Sequence, residues 1–83
     1  MISWRDVSKF PFDDKITALY ENATFVMAIR YYDYKINLYL LGEDYIEVFV
    51  NHKRASIDKI APLDRSHSRM KFYSDQIKLQ LDF

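Results

Sequence analysis

Apolar side chains recur at alternate positions through residues 24–51, the stretch that holds most of the chain's strand-forming residues. Phe25, Met27, Ile29 and Tyr31 fall on one side of a first extended segment, and Ile36, Leu38 and Leu40 on one side of a second. Ile46, Val48 and Val50 do the same in a third. Lys35, Asn37 and Glu47 lie opposite them, the pattern of an antiparallel sheet with one wetted face. Two tight connections follow, around Tyr32-Asp33-Tyr34 and at Gly42-Glu43-Asp44. The second contains the chain's single glycine, where a positive φ is convenient.

The flanks read differently. Ser3 followed by Asp6 has the spacing of a helix cap, with Trp4 and Val7 on one face of a brief first helix. Pro11 restricts Phe10 and ends it. A second helix is predicted from Asp13 or Asp14 to about Asn22, with Phe12, Ile16, Leu19 and Tyr20 as its apolar stripe. After the third strand, Asn51-His52-Lys53-Arg54 reads as a turn with Asn51 in the left-handed region. Residues 55–61 read as a fourth strand of imperfect alternation, because Ile57 and Ile60 fall on opposite sides, which calls for a bulge or an edge position before Pro62. Asp64 or Ser66 then caps a short helix through about Tyr73, with Met70 and Tyr73 inward. Finally Ile77, Leu79, Leu81 and Phe83 alternate with Lys78, Gln80 and Asp82, an extended segment suited to adding to a sheet edge in its own or another molecule.

The expected architecture is α+β: two short N-terminal helices followed by an antiparallel β-meander of about four strands, a short helix and a C-terminal extended segment. With 83 residues it forms one small domain, 1–83, with a modest core. The supposedly wetted face also carries Val26, Ala28, Tyr32, Tyr39, Leu41, Tyr45 and Phe49, too apolar a set for water alone. Its cover is expected to be the N-terminal helices, the C-terminal segment or a second copy of the sheet.

Composition removes several classes of function. The chain is 49% apolar and 17% aromatic, which excludes intrinsic disorder. It has no cysteine, so disulfides, thiol catalysis and thiolate metal sites are out. One glycine cannot build a glycine-rich phosphate loop. His52 and His67, without cysteine, do not match a structural zinc spacing, and Asp13-Asp14 and Glu43-Asp44 are adjacent pairs that diverge. No metal or cofactor is expected. No apolar run reaches the length of a membrane span and residues 1–12 lack the order of a signal peptide, so a cytoplasmic location is expected.

Twelve acidic and twelve basic residues cancel, but unevenly. Residues 1–50 carry a balance of minus three and residues 51–73 a balance of plus four, and the basic part also holds both histidines. Two functional readings follow. The leading one is a non-enzymatic protein–protein interaction module, a homodimer or a partner-binding chain, acting through the sheet face with Tyr39 and Phe49 or through the C-terminal strand. The other is a small RNA-binding or RNA-cleaving protein using His52, Lys53, Arg54, His67 and Arg69, where cations neutralise phosphates and a histidine pair handles protons. Residues 45–54, YIEVFVNHKR, resemble the late strand of RelE-type ribosome-dependent RNases, in which an apolar strand runs into a histidine and basic residues. That resemblance implies RNA cleavage of the toxin kind. It spans about ten of 83 residues, and the helices-first order differs from that family's. No catalytic residue is assigned.

Overall fold

The computed structural model describes residues 2–76 of the chain. Its elements are α1 (Trp4–Val7), α2 (Phe12–Asn22), β1 (Thr24–Tyr31), β2 (Tyr34–Leu41), β3 (Asp44–Asn51), β4 (Ser56–Pro62) and α3 (Met70–Gln76). The strands form one antiparallel meander in the order β1-β2-β3-β4, so the fold is α+β as the patterning predicts. The alternating segment from Ile77 to Phe83 lies outside the described residues.

Both faces of the sheet carry a helical layer from the same chain. On one face, Met27, Ile29, Ile36, Leu38 and Phe49 pack against Met70 and Tyr73 of α3. On the other, Leu41, Ile46 and Val48 pack against Val7 of α1 and Ala18 and Leu19 of α2. Each such side chain taken fully out of water contributes roughly 1.5–3 kcal/mol before conformational entropy is set against it. Of the three covers expected for the second face, the N-terminal helices α1 and α2 supply it over β2 and β3.

The two hairpins fix which side chains share a face. Tyr31 pairs with Tyr34 and Leu41 with Asp44, so two residues close each turn, and Tyr32 (φ 55°) and Gly42 (φ 61°) take the positive φ that such turns need. Glycine does this freely, whereas tyrosine in that region costs about 1–2 kcal/mol. Counting back from Leu41↔Asp44 sets Leu38 opposite Glu47 and Ile36 opposite Phe49. Directly opposed residues point to the same face, so Glu47 and Phe49 join Ile36 and Leu38, while Ile46, Val48 and Val50 join Tyr39 and Leu41. This reverses the sequence-based grouping of the third strand, and it sends Glu47 into the core.

Other local expectations are corrected by side-chain chemistry. Pro11 occupies the N-cap of α2 and the helix begins at Phe12, which leaves Asp13 and Asp14 inside the first turn, where the helix dipole favours them. Phe12 and Tyr20 are exposed while Ala18 and Leu19 are buried, so the inward stripe of α2 is narrower and rotated. Asn51 is the last residue of β3, and Ala55 takes the left-handed conformation instead (φ 52°). The Asn51 side-chain Oδ1 accepts the N–H groups of Lys53 at 2.9 Å and Arg54 at 3.1 Å, an Asx arrangement that holds the turn. In β4 the register slips at Asp58, and this bulge brings Ile57 and Ile60 to the same face, against the α1–α2 layer. Asp64 caps a turn through Ser66 rather than a helix, and α3 starts only at Met70.

A second bulge, between Phe25 and Met27 in β1, turns Phe25 outward although the alternation groups the two together. Phe25 is 54% exposed and Met27 is buried. Met27→Ala is expected to lower unfolding free energy by about 2–5 kcal/mol in urea titrations, and Phe25→Ala by less than about 1 kcal/mol. Equal losses would show that Phe25 belongs to the core.

Candidate interaction surface

With both faces covered, the accessible backbone of the sheet lies at its two edges, β1 and β4. The edges differ. β4 (SIDKIAP) is interrupted by the Asp58 bulge, carries Asp58 and Lys59 side by side and ends on Pro62, three devices that discourage another strand from pairing. β1 (TFVMAIRY) has Arg30 as its one charged side chain, and after its bulge it pairs regularly with β2 from Met27 to Tyr31. In an antiparallel ladder every second residue of an edge strand turns its N–H and C=O away from the neighbouring strand, so among the described residues β1 presents an unpaired row of both.

An aromatic group flanks this edge at its start. Phe25 meets Tyr39 edge-on at 5.7 Å between ring centres, and Tyr39 meets Tyr20 of α2 at 5.8 Å; Tyr20 is itself 54% exposed. Burial, and then the neighbouring Tyr20, push the Tyr39 hydroxyl above its ordinary value, which keeps it neutral. At the other end, Arg30 and Lys35 stand directly opposite each other across β1 and β2, and both are exposed. Together with Ala28 and Ile29 they line a shallow depression. Like charges directly opposed cost stability, so this pair is a local conflict within the sheet.

The basic segment divides into exposed and internal groups. His52, Lys53 and Arg54 form the exposed β3–β4 turn. The His52 N–H donates to the Asp33 carbonyl at 3.0 Å, which ties this turn to the β1–β2 turn, and Lys53 Nζ lies 3.6 Å from the Asp33 carboxylate. That pair is solvent-exposed and contributes little. Arg54 donates to Asp58, which also accepts Ser56 Oγ at 3.0 Å, Tyr34 OH at 3.3 Å and Asn51 Nδ2 at 3.4 Å. Loss of water would raise the Asp58 pKa, but these donors outweigh it and hold the carboxyl below its ordinary value.

Arg69 is internal, with 7% of its surface exposed. Its Nε donates to Glu47 Oε2 at 2.8 Å and its Nη2 to Oε1 at 2.5 Å, while the Tyr73 hydroxyl donates to Oε2 at 2.9 Å. Glu47 is fully buried and so is Tyr73. Hydrogen bonding to Glu47 raises Arg69 above its ordinary value against the cost of burial. Burial first, and then the adjacent Glu47, lift the Tyr73 hydroxyl far above its usual range, so it remains a donor. The guanidinium also lies over the rings of Phe49, at 5.3 Å, and Tyr31, at 5.7 Å. Phe49 is buried beneath it, with Lys59 over its ring at 5.2 Å.

His67 is half-buried, its Nδ1 accepting the Arg69 N–H at 3.1 Å and its ring edge-on to Tyr31 at 6.0 Å. Among the described residues no hydrogen bond or ring contact joins His52 to His67. Nor do three His, Asp or Glu gather there in a way that could hold a metal ion, and no helix is long and apolar enough to cross a membrane.

Of the residues singled out from the sequence, His52, Lys53 and Arg54 are brought together at one turn and Tyr39 stands apart beside β1. Phe49, His67 and Arg69 gather beneath α3. Glu47, Arg30 and Phe25 were not singled out. The signal for Glu47 was present in the two-residue turn at Gly42, whose pairing arithmetic sets it opposite Leu38. The bulge that exposes Phe25 leaves no mark in the hydrophobic pattern. Set against protein-family models, curated proteins and solved structures, the chain matches none.

The lowered Asp58, Asp64 and Asp6 carboxyls set the acid limb of stability. A carboxyl depressed in the folded state stabilises it above the unfolded value, near 3.9, and that contribution is lost as pH falls through the folded value. The urea midpoint should therefore drop below about pH 4. Asp58→Asn should lower the neutral-pH midpoint and shrink that acid-induced drop; an unchanged drop would remove Asp58 from the account.

Proposed function

We propose that the chain is a non-enzymatic protein–protein interaction module whose docking element is the edge of β1 that no other described strand pairs with, with Phe25, Tyr39 and Tyr20 as an aromatic shoulder. The observation that carries this reading is the contrast between the two edges. β4 is guarded by a bulge, two adjacent charges and a proline, whereas β1, past its own bulge at Val26, offers from Met27 to Tyr31 a regular run of backbone donors and acceptors with Arg30 as its one charge. Strand addition at such an edge draws affinity from main-chain hydrogen bonds and selectivity from the side chains beside them. A cysteine-free chain suits a reducing compartment, and a cytoplasmic setting belongs to this proposal.

RNA binding or cleavage through His52, Lys53, Arg54, His67 and Arg69 is less well supported. Arg69 is buried against Glu47, which withdraws it from phosphates, and Arg54 already pairs with Asp58.

A phage-displayed library of short extended peptides separates the two readings. Selected peptides should shift backbone amide resonances along residues 24–31 and lose binding when Ala28 is replaced by Lys. If no peptide is selected and the chain stays monomeric, or if a single-stranded RNA oligomer instead binds with steep salt dependence and shifts residues 52–54, the module reading is wrong.

A further inference from the structure

The docking reading leaves open what occupies the β1 edge, and the distribution of exposed charge beside that edge identifies an occupant. The start of β1 follows directly on Glu21 at the end of α2, and Thr24 pairs with Leu40, beside the turn that carries Glu43 and Asp44. This end is acidic. The far end of β1 carries Arg30 and, directly opposite, Lys35. All five side chains are exposed, and none forms a salt bridge among the described residues. Arg30, Lys35 and Asp44 project to the face on which α2 packs, as the register requires.

Two copies joined antiparallel through β1 reverse these ends against each other. A two-fold axis perpendicular to the sheet keeps the α1–α2 layers of both copies on the same side. The Arg30 end of each copy then faces the Glu21 end of the other, twice over, with Lys35 one strand and Glu43 and Asp44 further strands back from the seam. Resting on the interaction-module reading, we infer that the partner is a second copy of this chain, paired β1 to β1 in antiparallel orientation into a continuous eight-stranded sheet. The isologous contact repeats one patch on both subunits, as a closed dimer needs. It also answers the like-charge conflict between Arg30 and Lys35, neither of which forms a salt bridge among the described residues of one copy. A parallel arrangement would set acid against acid and base against base. The exposed Phe25 at the axis-flanking start of β1 brings apolar surface into the same contact, and the separated charges govern orientation.

The test is sedimentation equilibrium on the full chain from micromolar to millimolar concentration. The wild-type chain should dimerise, more weakly as salt is added. The double variant Arg30→Glu, Lys35→Glu and the double variant Glu21→Lys, Glu43→Lys should each lose dimer affinity by about tenfold or more, since every end now repels. Mixed together, the two should form a heterodimer at least as tightly as wild type, because both contacts are again opposite in sign. Circular dichroism of each variant alone checks that these exposed substitutions leave the fold intact. A wild-type chain that stays monomeric to millimolar concentration, or variants whose mixture does not associate, would overturn the second-copy assignment. In that event peptide selection at the β1 edge would still uphold the docking element, and failure of both would remove the module reading as well.

Discussion

Glu47 stands opposite Leu38 in the middle of the sheet, and a carboxylate in that position has to be answered from within the protein. An unpaired buried charge is too costly to keep, so the chain supplies a guanidinium and a phenol from the segment that crosses above it. Arg69 meets both oxygens of Glu47 and Tyr73 adds a third donor. The position of α3 depends on this contact. A seven-residue helix has little stability of its own, and what holds it against the sheet is the burial of Met70 and Tyr73 together with the ion pair that Arg69, just before the helix, makes with Glu47. The pair adds specificity of placement, since an all-apolar contact between a short helix and a sheet could slide by a turn.

From that placement the exposed surface follows. α3 and the turn before it close one face, α1 and α2 cover much of the other, and the backbone left accessible is at the edges. Strand β4 is protected by its own irregularity. Strand β1 is irregular only at Val26, and the acidic and basic groups at its two ends give an edge unpaired among the described residues a direction. The same polarity appears along the sequence as an acidic first part and a basic second part, but folding redistributes it: Arg69 is buried against Glu47 and Arg54 pairs with Asp58 at the surface, while Arg30 and Lys35, from the acidic part, stand opposed with no salt bridge among the described residues.

The order of elements was legible because alternation and helical spacing are both long-range patterns in this chain. Ser3 and Asp6, Asn22, and the irregular fourth strand each marked their elements correctly. What escaped were single-residue events with large geometric consequences. A turn of two residues rather than three exchanges the faces of the next strand, which is how Glu47 came to be read as wet. A bulge at Val26 turns Phe25 outward without altering the composition of the strand. The basic cluster was legible as charge but not as contact, because whether an arginine is free or buried depends on a carboxylate 22 residues away.

The buried pair between Glu47 and Arg69 is tested most directly by a double-mutant cycle in urea unfolding, with Glu47→Leu, Arg69→Leu and both together. Each single change should cost about 3–5 kcal/mol, since it strands a charge in the interior. The double variant should recover about 2–3 kcal/mol of the summed loss. Additive losses, with no coupling between the two positions, would contradict the inward placement of Glu47 and with it the arrangement of α3 on the sheet.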